Sequence, residues 1–259
     1  MYTNEQKKFR PKGIDQIRRE LLHFVSTGLQ FRRIFLADGD AMTLSFRRLH
    51  AILQAINEFF PDIQRVSAYC LPRNVKNKTV EELIELRQMG LSLVYTGCET
   101  GDDFILEKIS KGETWQSSLD ALVKLQQAGI NRSVMILNGL GGLKYSEQHA
   151  LNSAQLMNES QPEFLATLVV SFPLGEQRFQ RGFGGDYVAM NGIQLAQEME
   201  VMLATLALEK TIFRSDHASN YLVLKGVLNK DKEKLLTVVR QSIHDPDSVP
   251  LRQEWQRGL

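Results

Sequence analysis

The run Ile34-Phe35-Leu36-Ala37-Asp38-Gly39-Asp40 carries an apolar segment straight into two carboxylates separated by a glycine. An apolar run of this length, bounded by Gly and Asp, reads as a buried strand. Asp-Gly-Asp then lies at the strand's C-terminal end, the end at which ligands bind in folds built from parallel strands and helices. The glycine lets the backbone turn sharply and approach a ligand. Two carboxylates there suit a cationic group, a hydroxyl or a metal. They equally suit a structural part, with Asp38 turning the chain and Asp40 capping the next helix.

The same grammar recurs downstream. Strands are expected at Arg33–Ala37, Arg65–Leu71, Leu91–Thr96, Arg132–Leu137 and Leu165–Phe172. Helices are expected over Gly13–Leu22, Leu44–Phe59, Val80–Met89, Asp103–Ile109, Trp115–Ala128 and from Ser146 to Asn158, with apolar residues at helical spacing. Thr79 followed by Glu82 makes a capping box, and Gly90 and Gly129 are helix stops. These are five strand-then-helix units of roughly 30 residues, the size of a βαβ unit with a right-handed crossover. Polar or Gly-rich text follows strand after strand: Asp38–Asp40, Gly97–Gly101, Asn138–Gly142. In a parallel sheet those loops converge on one rim. After Pro173 the rhythm changes: Phe179–Tyr187 reads as a loop, Gln194–Leu208 as a helix, Thr211–Leu228 as strand, turn and strand, and Asp231–Ser242 as a last helix. The tail from His244 reads as loosely packed. No linker is visible, so one domain is expected, with a core over 13–175 and an extension over 176–259.

Composition narrows the function. The 259 residues are 43% apolar and 24% charged, with 31 basic and 30 acidic side chains and a net charge of +1. Such balance supplies no bulk attraction to nucleic acid or anionic membrane. No apolar run approaches the roughly 20 residues of a membrane span, and the N-terminal text lacks a signal peptide's apolar segment, so a cytoplasmic location is expected. The two cysteines, Cys70 and Cys98, form no Cys-x-x-Cys pair, and each reads as a small buried hydrophobe rather than a ligand.

Among polar candidates, Glu99 sits between Gly97 and Gly101, where its carboxylate could accept hydrogen bonds from ribose hydroxyls or an ammonium, or complement the next helix's dipole. Lys111 offers a cation to a carboxylate, or is simply solvated. Asn138-Gly139-Leu140-Gly141-Gly142 could cradle a phosphate or pack a flat ring on bare backbone, though no Lys-Ser/Thr follows as in a P-loop. His217, in the polar run Ser215–Asn220, and His149 suit structural parts as well as a site. No Ser-His-Asp spacing and no Gly-x-Ser-x-Gly elbow is present.

Taken in order, Phe35-Leu36-Ala37-Asp38-Gly39-Asp40-Ala41, Gly97-Cys98-Glu99-Thr100-Gly101, Leu106 to Lys111-Gly112, Ala128-Gly129-Ile130, Leu137–Gly142 and Ser146 with His149-Ala150 resemble the radical S-adenosylmethionine (radical SAM) enzymes. The likeness is to the broad group of elongator-type, methylthiotransferase-type and coproporphyrinogen-oxidase-type proteins, and it extends to about Lys234. The resemblance implies a partial (β/α)6 TIM-like barrel with a 4Fe–4S cluster and S-adenosylmethionine at the strands' C-terminal mouth. It implies reductive cleavage of the cofactor to a 5′-deoxyadenosyl radical, with the substrate undetermined. By position, it places Asp38, Gly39 and Asp40 at the methionyl ammonium, Glu99 near the methionyl or ribose part, Lys111 at the carboxylate, and Asn138, Gly139 and Gly141 near the adenine.

The chain departs from the family at one place. The Cys-x-x-x-Cys-x-x-Cys that ligates the cluster is absent, while Met1-Tyr2-Thr3 and Lys8-Phe9-Arg10 resemble the text that follows its third cysteine. A missing first strand and cluster loop is therefore expected, which makes this the truncated body of a radical SAM enzyme to which the cluster does not bind. A non-catalytic binding module that kept the barrel is the alternative. A third reading is an unrelated barrel with an acidic metal site at Asp38, Asp40 and Glu99.

Overall fold

The computed structural model describes residues 10–37, 39–173 and 175–257. Asp38 and the N-terminal text from Met1 to Phe9 lie outside the described residues. Seven strands form one sheet in chain order: β1 (Arg33–Leu36), β2 (Arg65–Cys70), β3 (Leu91–Glu99), β4 (Asn131–Asn138), β5 (Phe164–Val169), β6 (Ile212–Ser215) and β7 (Leu224–Val227). Neighbours are parallel up to β6, and β7 returns antiparallel on β6. The helices are α1 (Ile14–Ser26), α2 (Phe46–Phe59), α3 (Arg73–Lys76), α4 (Val80–Gln88), α5 (Asp103–Lys108), α6 (Trp115–Gln127), α7 (Ser146–Ser160), α8 (Gln177–Gly182), α9 (Gly192–Thr205) and α10 (Lys232–His244). None is long and apolar enough to cross a membrane.

Because the strand order never doubles back, right-handed crossovers put the connecting helices on one face and curl the sheet around the other. This is the partial (β/α)6 TIM-like barrel the sequence implies. Strand alternation then sorts the side chains. Val66, Ala68, Cys70, Val134, Ile136, Leu165 and Phe213 are buried beneath the helices. The residues between them, including Phe35, Tyr69, Tyr95 and Gly97, look onto the inner face. Leu83 and Leu86 of α4 are fully buried, each contributing about 1.5–3 kcal/mol by leaving water. The capping box at Thr79 and Glu82 forms as read.

The strand, turn and strand expected over 211–228 form as β6 and β7, which with β1 to β5 complete the seven-stranded sheet. Two expectations are corrected. The segment 179–187 is not all loop. Helix α8 enters it, since Phe179 and Phe183 pack with Phe172 and Tyr187, and the glycines that masked it lie at and beyond its end. The tail is docked, not loose. Arg252 Nη1 donates to the carbonyls of His217 and Asn220, and Arg257 Nε donates to the Ser219 carbonyl at 2.9 Å. The Arg257 guanidinium also lies 3.8 Å from the Tyr221 ring centroid.

Candidate site at the strand C-terminal rim

Asp40 opens a 3-10 turn after β1. Its Oδ1 accepts from the Met42 N–H at 3.1 Å, and its Oδ2 accepts from the Leu71 N–H at 3.1 Å and from the Asn74 amide. Burial raises its pKa, opposed by these hydrogen bonds and by Lys78. The carboxylate is therefore committed to capping and to tying the β1 loop to the β2 loop, the structural one of its two readings. Gly39 supplies a φ of 131° at the turn. Lys78, 6% exposed, donates to the Met42 and Asn74 carbonyls at 2.8 and 2.9 Å, and burial lowers its pKa.

The stitching continues around the rim. The Arg73 N–H donates to Glu113 Oε1 at 3.1 Å, and Ser117 Oγ donates to Glu113 Oε2 at 2.9 Å. Glu113, Arg73 and Asn74 had not been singled out in the sequence. Glu113 follows Lys111-Gly112 directly and precedes the Thr114 helix cap, where an acid just outside a helix start reads as ordinary loop charge.

Glu99 and Lys111 are the two rim residues that the fold brings together. Glu99 has φ +67°, uncommon for a residue other than Gly, at the irregularity where β3 pairing with β4 passes over Cys98. Lys111 Nζ donates to Glu99 Oε1 at 2.7 Å, with the two side chains 10% and 19% exposed. Gly97 makes room for this pair. A Cβ there would lie 2.5 Å from Glu99 Oε1 and 3.7 Å from Lys111 Nζ. Gly101 serves packing instead, since a Cβ would lie 2.3 Å from the Asn152 carbonyl oxygen of α7. On the same inner face Phe35, Tyr69 and Tyr95 form a triangular cluster, with ring centroids 4.9 Å (Phe35–Tyr69), 5.7 Å (Phe35–Tyr95) and 6.1 Å (Tyr69–Tyr95) apart. Phe35 and Tyr69 are exposed.

The glycine loop after β4 is clamped from behind. Gly139, at φ +80°, donates its N–H to Glu198 Oε1 at 2.6 Å and accepts from the Tyr187 hydroxyl at 2.9 Å. Glu198 Oε2 accepts from Ser146 Oγ at 2.7 Å, so Ser146 holds this network while Tyr145 occupies the helix N-cap. His149 Nδ1 lies 2.7 Å from Thr100 Oγ1, and its Nε2 lies 3.8 Å from Glu198. A Cβ at Gly141 would press on Ile105 and the Tyr145 carbonyl, both at 2.9 Å. Asn138 shares the helix face with Val134 and Ile136, not the inner face. Glu198 escaped the sequence because it sits in an apolar helix. The available signal was an acid amid the buried positions Leu195, Met199 and Met202.

Cys70 and Cys98 are both buried on the helix side. Burial raises the Cys70 thiol well above its ordinary value and pushes Cys98 up to about 12. His217 bonds Ser219 locally, 2.9 Å from its Oγ. Among the described residues no three His, Cys, Asp or Glu side chains are grouped to hold a metal ion.

The profile of the radical SAM superfamily matches residues 2–156. The heme chaperone HemW of Bacillus subtilis (strain 168) is 24% identical over 146 residues, which cover 54% of this chain and 38% of that protein. Coproporphyrinogen III oxidase (HemN) from Escherichia coli has a similar fold, with a TM-score of 0.58 at 15% identity over 74% of this chain and 44% of its own. The archaeal Elp3 of Methanocaldococcus infernus gives 0.53 at 12% identity, over 90% and 59%. The chain thus spans less than half the length of HemW and HemN.

Proposed function

The chain belongs to the radical SAM superfamily, and from that membership we propose that its inner rim binds S-adenosylmethionine through the Glu99–Lys111 pair. The observation that carries this is the pair itself, folded over Gly97 on the inner face. A methionyl group presents an ammonium and a carboxylate side by side. Such a zwitterion can exchange with a protein ion pair, the ammonium going to Glu99 and the carboxylate to Lys111. Gly97 leaves room beside the pair, and the edge-to-face cluster of Phe35, Tyr69 and Tyr95 on the same inner face offers an aromatic surface for the rest of the cofactor or for a substrate. Gly139 and Gly141 set the loop over β4 that bounds the site. Asp40 and Gly39 contribute by fixing the first loop, and Asp38 is assigned to the same loop by its position in the sequence.

The family's chemistry is supplied by the cofactor together with a 4Fe–4S cluster held by thiolates. The residues of this chain fit the first group and not the second. A cluster needs three thiolates in reach, and the two cysteines here are buried on the opposite face with raised pKa values. What these residues do is bind, orient and shield. The second reading, a binding module without redox chemistry of its own, is favoured by that placement of the cysteines. Anaerobic reconstitution with iron and sulfide tests that reading, because a stoichiometric cluster on these 259 residues would refute the binding module.

Calorimetric titration with S-adenosylmethionine tests the binding. Gly97→Ala should weaken it while leaving the fold intact, since the new methyl meets the movable ends of Glu99 and Lys111. Unchanged affinity would refute the placement.

A further inference from the structure

A cavity of about 630 Å³ opens between the segment that follows β1 and the segment that follows β2, the two that Asp40 ties together. That volume lies within the range of small-molecule sites. Its lining carries three cations, Arg47, Arg73 and Lys78, against one acid, Glu82. The acid is already engaged, because its Oε2 accepts the Thr79 N–H at 2.9 Å in the cap of α4.

The cations keep donors without partners. Glu113 Oε1 accepts the Arg73 backbone N–H at 3.1 Å and lies 3.5 Å from Arg73 Nε, which fixes that side chain and leaves its Nη1 and Nη2 without an acceptor among the described residues. Arg47 is exposed, and among the described residues its side chain makes no hydrogen bond and no ion pair. Lys78, 6% exposed, gives two of its three N–H groups to the Met42 and Asn74 carbonyls.

The start of α2, which borders the same cavity, breaks two local rules. Ser45 stands at the N-cap, yet its hydroxyl caps nothing, and the first turn carries Arg47 and Arg48 with no acid. Helix starts favour capping hydroxyls and acids, and cations there oppose the dipole. Local rules broken together mark a place shaped by function rather than stability. An anion in the cavity answers both, accepting from the uncapped turn and neutralising the arginines.

We infer that this cavity binds the phosphate group of a small phosphorylated molecule, held by Arg47, Arg73 and the start of α2, with Lys78 adding its buried charge. A polyanion such as RNA draws on cations spread along a track. Here they converge on one cavity, in a chain whose net charge is only +1.

The test titrates the full chain by calorimetry with ribose 5-phosphate, with ribose and with a single-stranded RNA octamer. Ribose 5-phosphate should bind and ribose should not. Arg47→Ala, a change at an exposed position, should weaken the phosphorylated sugar about tenfold or more, the loss of a hydrogen bond between charged groups. Arg47→Glu should abolish it. No binding of ribose 5-phosphate at millimolar concentration, equal binding of ribose, undiminished affinity in a folded Arg47→Glu protein, or an RNA octamer bound more tightly than the sugar phosphate would each overturn the inference. The comparison of the phosphorylated and plain sugars on the unmodified chain decides it even if a variant fails to fold.

Discussion

Replacing Glu198 by leucine, and separately by glutamine, measures the clamp behind the glycine loop. The carboxyl group, 2% exposed, accepts from the Gly139 N–H at 2.6 Å and from Ser146 Oγ at 2.7 Å. Leucine keeps the volume but removes both acceptors. The Gly139 N–H, fixed at φ +80°, cannot turn toward another partner, and each orphaned buried group costs about 1–3 kcal/mol. The Gly139 N–H carries most of this and the half-buried Ser146 hydroxyl adds less, so the two together come to about 2–4 kcal/mol, a large share of the ~5–15 kcal/mol that holds a typical protein folded. Glutamine restores most of this. Its oxygen can still accept from Gly139, and its amide can donate to Ser146 Oγ, whose hydroxyl rotates. The expected loss is about 1–2 kcal/mol, the difference between bonds to a charged and to a neutral partner. Urea unfolding followed by circular dichroism, with the slope against denaturant unchanged, reads both values. A leucine variant costing less than about 1 kcal/mol, or a glutamine variant as damaged as leucine, would refute the clamp.

Arg132, fully buried, donates to the Leu122, Ser160 and Gln161 carbonyls and to both oxygens of Glu163. Arg132→Met should cost about 3–5 kcal/mol in the same assay, because it strips a buried charge pair of one partner. Burial alone would raise the Glu163 pKa, but the Arg132 hydrogen bonds outweigh it and hold the carboxyl below its ordinary 4.5. A depressed folded pKa gives stability that is present above the unfolded value and lost as pH falls through the folded one. Acid titration of stability should therefore be flatter below pH 4.5 in Arg132→Met than in the parent, and equal slopes would contradict the pairing. Gly101→Ala, whose methyl would meet the Asn152 carbonyl oxygen at 2.3 Å, should cost about 1–3 kcal/mol by overpacking, read as a lowered Tm. An unchanged Tm would mean that α7 moves freely. Cys70 and Cys98 should resist a thiol reagent in the native protein and react once it is unfolded. Fast native reaction of either would contradict their burial.

The barrel was legible wherever local physics sets structure. Apolar strands, caps such as Thr79 and glycine stops fixed β1 to β5 and their helices within a few residues. What stayed hidden depends on partners distant in the chain. Asp40 was identified by its place after β1, but its engagement with Leu71 and Asn74 arises only when the two loops meet. Glu99 and Lys111 were each singled out, and only the bulge at Cys98 turns one onto the other. Arg132 reads as a strand-edge charge until four carbonyl and carboxylate partners close around it. Glu198 is an acid in an apolar helix, and its role appears only against Gly139, 59 positions earlier. Strand alternation could have shown that Asn138 belongs to the helix side, since Val134 and Ile136 share its parity.

The assignment of Lys111 to the methionyl carboxylate is tested most directly by pairing one substitution with one change in the ligand. Calorimetry would compare S-adenosylmethionine with its decarboxylated analogue on the parent and on Lys111→Ala. Losing a hydrogen bond to a charged group costs about 1.5–3 kcal/mol, roughly ten- to a hundredfold in Kd. Lys111→Ala should weaken S-adenosylmethionine by that factor and leave the decarboxylated ligand unaffected. Equal loss for both ligands, or no loss for either, would contradict the account.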